Sequence, residues 1–190
     1  MSSIVLGRDR LCADGVAGRL EWIATNGIGG FAAGTLSGVL ARRHHGLLVA
    51  ACRPPLGRTL LLAKLAERLE CDGAWRHLDA NRWAGGAIVP TGHLELESFR
   101  LEGTVPVWTW ALGDTRLEKR VWMEQGENTT FIDYRLVEGR GPVTLELGAI
   151  VDHRDADGIR SRGEGAAAVA AAPDGLEITL DGAPGALWLF

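Results

Sequence analysis

The sequence predicts an all-β protein built as a large antiparallel sandwich, and three observations carry that prediction. Glycine is abundant, at 26 residues, and is spread along the chain as turn punctuation. Between the glycines lie short runs in which apolar and polar residues alternate with period two, the mark of a half-buried strand. Helical periodicity is weak. Many short strands separated by turns roughly every ten residues make a sandwich or a barrel.

The elements follow in order. Leu47 to Ala51 and Thr59 to Leu62 read as short apolar strands split by Arg53-Pro54-Pro55-Leu56-Gly57. Val105 to Leu112 and Arg116 to Trp122 read as a hairpin turning at Gly113-Asp114. In Phe131 to Leu136, Ile132, Tyr134 and Leu136 share one face while Asp133 and Arg135 take the other. Val143, Leu145, Leu147, Ala149 and Val151 form another period-two face. Ala166 to Ala172 suits a helix on alanine's propensity, and a strand or loop equally well from its place between strands. Leu176, Ile178 and Leu180 alternate with Glu177, Thr179 and Asp181.

At 190 residues, with no internal repeat and no dividing linker, the chain reads as one domain over 1–190. Its 46% apolar and 23% charged residues are ordinary for a globular protein and enough for a substantial core. A net charge of -4 argues against a nucleic-acid partner. No segment has the apolar length of a membrane span, and no N-terminal signal pattern is present. Cys12, Cys52 and Cys71, an odd count at irregular spacing, read as reduced thiols of a cytoplasmic protein. The chain stops on an apolar run, Ala186-Leu187-Trp188-Leu189-Phe190, where termini are usually polar, so the expectation is a piece of something longer.

One window stands apart. No acidic residue occurs from Trp22 to Ala66, whereas Arg42, Arg43, Arg53, Arg58 and Lys64 give it a charge of +5. Inside it, Gly27-Ile28-Gly29-Gly30-Phe31-Ala32 matches G-x-G-x-x-A. A dinucleotide fold needs an acidic residue about twenty positions later, and the first here is Glu67. Nucleotide binding is rejected, and the glycines are read as a tight backbone path with positive φ. His44 and His45 are adjacent, so on a strand they point to opposite faces and cannot share one ion. One packs inward and the other faces a partner or ligand. Around His153, Asp155, Asp157, Gly158 and Glu164 resemble a calcium loop, but His153 stands where an Asp is needed and the flanks are strands. A solvated turn is the better reading, and no metal or cofactor is expected. Trp108 and Trp110 share one strand face, with Trp122 near them. They are core residues first and a sugar-stacking platform second, because Val105 and Val107 cover the other face. No pair of carboxylates and no nucleophile setting stands out, so the chain reads as a module without a catalytic residue.

A longer pattern ties these pieces together: Glu21-Trp22, Thr25 to Ala32, Arg43, His45 to Ala50, Pro54-Pro55, Gly57-Arg58 and Leu62 to Leu65, then Leu96 to Leu101, Pro106 to Thr109, Leu117 to Val121 and Asn128-Thr129. In this order it resembles the N-terminal domain of bacterial and archaeal glycogen debranching enzymes across most of residues 18 to 137. Ala41 and His44 depart from the family, which has Asn and Tyr there, so contacts of those side chains are not carried over. The resemblance implies a β-sandwich of supersandwich type preceding an (α/α)6 barrel. It implies a parent that hydrolyses α-1,6-glucosidic branches with a carboxylate pair in that barrel, outside this chain. The implied partners are the barrel and glycogen or branched maltooligosaccharides. Arginine forks suit carboxylates and hydroxyl pairs. The substrate- or barrel-facing candidates are therefore Asn26, Gly29, Gly30, Arg42, Arg43 and His45. The alternative is a free-standing carbohydrate-binding module using Trp108, Trp110 and the basic window. A sandwich from a related phosphorylase or glucosidase fits the same pattern.

Overall fold

The computed structural model describes residues 4–12, 15–160, 165–183 and 185–190. Its strands are β1 (Val5–Gly7), β2 (Glu21–Thr25), β3 (Phe31–Thr35), β4 (Gly46–Arg53), β5 (Leu56–Cys71), β6 (Ala74–His77), β7 (Ala80–Arg82) and β8 (Ile88–Thr91). There follow β9 (Leu96–Glu102), β10 (Val105–Leu112), β11 (Thr115–Met123), β12 (Thr130–Glu138), β13 (Thr144–Asp155), β14 (Ala167–Ala172), β15 (Gly175–Leu180) and β16 (Ala186–Leu189). A single helical turn, α1 (Arg8–Leu11), follows β1, and a 3-10 turn spans Gly92–Glu95. No helix among the described residues is long and apolar enough to cross a membrane.

All pairings are antiparallel. One large sheet has the order β1-β9-β10-β11-β12, and the second runs β13-β5-β4-β3-β2 with β6 added beside β5. A three-stranded sheet, β14-β15-β16, and the β7-β8 ribbon complete the architecture. The two large sheets share one core. Leu48, Ala50 and Leu62 of the second sheet cluster with Phe99, Trp108, Trp110, Leu117 and Val121 of the first. Trp22 meets Trp108 edge-on across the gap, with centroids 5.2 Å apart. Each large apolar side chain so buried contributes about 1.5–3 kcal/mol. The chain is an all-β sandwich, as its sequence predicts.

The hairpin at Gly113-Asp114 forms as read, with Gly113 at φ 65. β11 alternates buried and half-buried along its whole length, and this places Lys119 at a core position between Leu117 and Val121. The outer face of this sheet is closed by charge. Val107 is fully buried because Arg100 and Arg120, its cross-strand neighbours, lie over it. Their stems cover apolar surface while Arg100 pairs with Glu102 at 2.7 Å and Glu118 at 2.8 Å, and Arg120 with Glu102 at 3.0 Å.

The structure refines three readings. The strand read as Thr59 to Leu62 is sixteen residues long, because β5 runs on through Lys64 and Glu67, whose charges are buried and paired rather than turned to solvent. It pairs with β13 along one edge and with β4 and then β6 along the other. For the Ala-rich segment, where helix, strand and loop all stood open, the structure has strand β14, held in register against β15. The alternating face of β13 is only partly covered: Leu147 is 45% exposed, since β13 is the last strand of its sheet.

Candidate functional site

The glycine segment forms the tight β2–β3 turn, and Asn26 organises it. Asn26, one of the substrate- or barrel-facing candidates, is fully buried. Its Oδ1 accepts the Gly30 N–H at 2.9 Å and the Ile28 N–H at 3.1 Å. Its Nδ2 donates to the Glu127 carbonyl at 2.9 Å and to Asn128 Oδ1 at 3.1 Å. Asn128 in turn receives the Ala51 N–H at 2.9 Å and donates to the Ala51 carbonyl at 3.1 Å. The side chain that sequence reading turned outward therefore locks three chain segments together. Gly29, at φ 103, lies so close to the turn after β4 that a Cβ would stand 2.6 Å from the Pro55 carbonyl oxygen. Gly30 backs directly onto Asn26 and Asn128. Arg58 caps the loop by donating to the Gly29 carbonyl at 3.0 Å, with its guanidinium 5.9 Å from the Phe31 ring.

The histidines do not lie on a strand. They sit in the turn before β4, their rings edge-on at 5.6 Å. His45, carried as an outward candidate, is 1% exposed. Its Nδ1 accepts the Ala41 N–H at 3.1 Å, and its Nε2 lies 3.6 Å from Glu21 Oε1, so the neutral ring carries its proton on Nε2. Burial pushes its pKa below the ordinary value. Arg42 donates to Glu21 at 2.5 Å, and this hydrogen bond holds the Glu21 carboxyl below its usual range. Arg43 is exposed, and among the described residues its guanidinium reaches only the Asp157 carbonyl, at 3.4 Å.

The acid-free window is thus less positive in space than in sequence. Glu21, one residue outside it, neutralises Arg42, and Asp79 faces Lys64 at 3.7 Å inside the fold. Arg43, Arg53 and Arg58 meet no carboxylate among the described residues.

The tryptophans take their core role. Trp108 and Trp110 are each 4% exposed, and Trp108 Nε1 donates to the Leu36 carbonyl at 3.0 Å. Trp122 is not beside them. It stands on the outer face, stacked on Phe131 with centroids 5.3 Å apart. In the turn after β13, Arg154 donates to the carbonyls of Asp155, Ala156 and Gly158 at 3.1–3.2 Å, filling with a guanidinium the place a cation would take. Glu164 lies outside the described residues. No group of three His, Cys, Asp or Glu able to hold a metal occurs among the described residues.

The model of the family described as glycogen debranching enzyme N terminal matches residues 20–189. The chain belongs to that family. No curated protein and no solved structure matches it.

Two features of this debranching-enzyme domain escaped sequence reading. The first is a buried charge cluster. Lys64 donates to the Ala80 carbonyl and to Asn81 Oδ1, both at 2.8 Å, beside Asp79. Lys119 and Tyr134 both donate to Oε1 of Glu67. Burial lowers the Lys64 pKa and pushes that of Tyr134 well up. The signal was present in β11, where Lys119 occupies an apolar phase. The second is an apolar groove of about 1040 Å³ lined by Leu62, Leu65, Ile132, Leu147, Leu187 and Trp188, from β5, β12, β13 and β16.

Proposed function

We propose that this sandwich is the non-catalytic half of a glycoside hydrolase acting on α-1,6 branch points of glycogen, docked on a catalytic (α/α)6 barrel. The family match carries the reading. The surface that meets the barrel, or lines the rim of its cleft, is the β2–β3 turn with its arginine neighbours. Asn26 braces that turn from behind, so its tip is held at no further ordering cost when a partner arrives. Arg43, Arg53 and Arg58 are the arginines of the window left for the barrel's carboxylates or for sugar hydroxyls. Asn26, Gly29, Gly30 and His45 act through the shape of the turn, while Arg43 makes contact and Arg42 is shared with Glu21.

The test is Arg43→Ala in the intact enzyme. A rise in KM for branched dextrin, or a weaker attachment of the two domains, supports the reading. Unchanged kinetics together with unchanged stability refutes it. The free-standing carbohydrate module loses its proposed platform with Trp108 and Trp110 in the core. Titration calorimetry of the 190-residue chain with maltooligosaccharides and a branched limit dextrin separates the two readings, because only a free-standing module gives heat without the barrel.

A further inference from the structure

A small cavity of about 60 Å³ lies between the large sheets among Trp22, Trp108, Trp110, Lys64, Glu67 and Lys119. Most polar groups around it satisfy one another, but two do not close. Trp110 is 4% exposed, and its indole N–H has no acceptor among the described residues. Glu67 is 5% exposed and takes both Lys119 and Tyr134 on Oε1, while no donor among the described residues reaches Oε2. A buried donor without an acceptor costs about 1–3 kcal/mol, so native proteins rarely keep one. The two atoms belong to facing sheets, Trp110 to β10 and Glu67 to β5.

We propose that this cavity is a binding site for a small neutral hydroxyl compound, which accepts the Trp110 indole N–H and donates to Glu67 Oε2, linking the sheets. The chemistry of the lining selects the guest. An indole N–H only donates and a carboxylate oxygen only accepts, so the guest must do both, as a hydroxyl does. Lys64 and Lys119 already balance Asp79 and Glu67, so an added ion would be left unpaired in a low-dielectric interior. At ~30 Å³ per water the space holds about two water molecules, or one short diol.

Water-selective Overhauser spectroscopy in the rotating frame, where dipolar contact and proton exchange differ in sign, tests the assignment on the 190-residue chain. The expected result is a dipolar cross-peak between the Trp110 indole proton and long-lived water. Its loss in Trp110→Phe assigns the proton. If that variant does not fold, contacts to Leu117, the cross-strand neighbour of Trp110, assign it in the unaltered chain. Added ethylene glycol tells the two sources apart: a persistent water peak means water holds the site, and replacement by a glycol methylene peak means a diol does. Absence of any cross-peak to water or glycol at this indole overturns the proposal.

Discussion

Replacing Asn26 with alanine removes four hydrogen bonds from a site that solvent does not reach. At about 0.5–1.5 kcal/mol net for each bond, the sum lies between about 2 and 6 kcal/mol. The Gly30 N–H is left buried without its acceptor, whereas Ile28 and the 127–128 turn lie nearer water, so about 3–4 kcal/mol is the working figure. In a chain of this size that lowers the melting temperature by roughly 10 °C. Urea titration with fluorescence detection gives the same quantity as a midpoint shift of about 1–2 M. The amide matters on both ends. Asn26→Asp keeps both acceptors but sets a carboxylate oxygen against the Glu127 carbonyl and Asn128 Oδ1, so it is expected to be at least as damaging as alanine. A double-mutant cycle with Asn128→Ala should return a coupling of about 0.5–3 kcal/mol. A loss below about 1 kcal/mol for Asn26→Ala would refute the bracing role and return Asn26 to the group of contact residues.

Gly30→Ala should destabilise the domain by a similar route, since the new Cβ would stand 2.5 Å from Asn26 Nδ2 and 2.8 Å from Asn128 Oδ1; an unchanged urea midpoint would contradict the packing described. Asp79→Ala strands the buried Lys64 ammonium and should cost about 3–5 kcal/mol, with Lys64→Met in the same chain recovering a large part; no recovery would place the loss elsewhere. Stability should fall on acidification below about pH 7. Burial depresses the folded-state pKa of both His45 and His93 below 6.5, so the unfolded chain takes up protons first. That loss begins as pH drops through the unfolded value and ends at the depressed folded one. Denaturation curves that coincide across this range would refute it, and His93→Gln should reduce the slope.

Regular alternation was legible wherever side chains of one chemistry shared one face. It located the β10–β11 hairpin and β15, and it separated Tyr134 from Asp133 and Arg135. It failed where the fold buries charge. Lys64 and Glu67 interrupt the apolar pattern of β5, and their partners Asp79 and Lys119 come from other parts of the chain, so a sixteen-residue strand looked like a short one. The charge window failed for a related reason: its sum is correct, but Glu21 stands just outside its border and Asp79 approaches through space. Asn26 stood among the partner-facing candidates because an amide among glycines usually caps a turn facing water. Its two donor bonds run to residues 127 and 128, which no local pattern reveals. The family, by contrast, was legible from ordered short blocks spread over more than a hundred residues, as the match to residues 20–189 establishes.

The reach of β5 also orders the steps by which the chain folds. Its pairings with β4 and β6 close through short turns, at Pro54-Pro55 and at Asp72-Gly73, so both hairpins form with little loop entropy to overcome. Its other edge waits for β13, which arrives only after β9 to β12 have been threaded between. Contacts so distant in sequence are made late. Amide exchange should then find β13 opening as a unit while the hairpins of β5 stay closed, so that a strand ribbon already standing in the chain receives its far neighbour last.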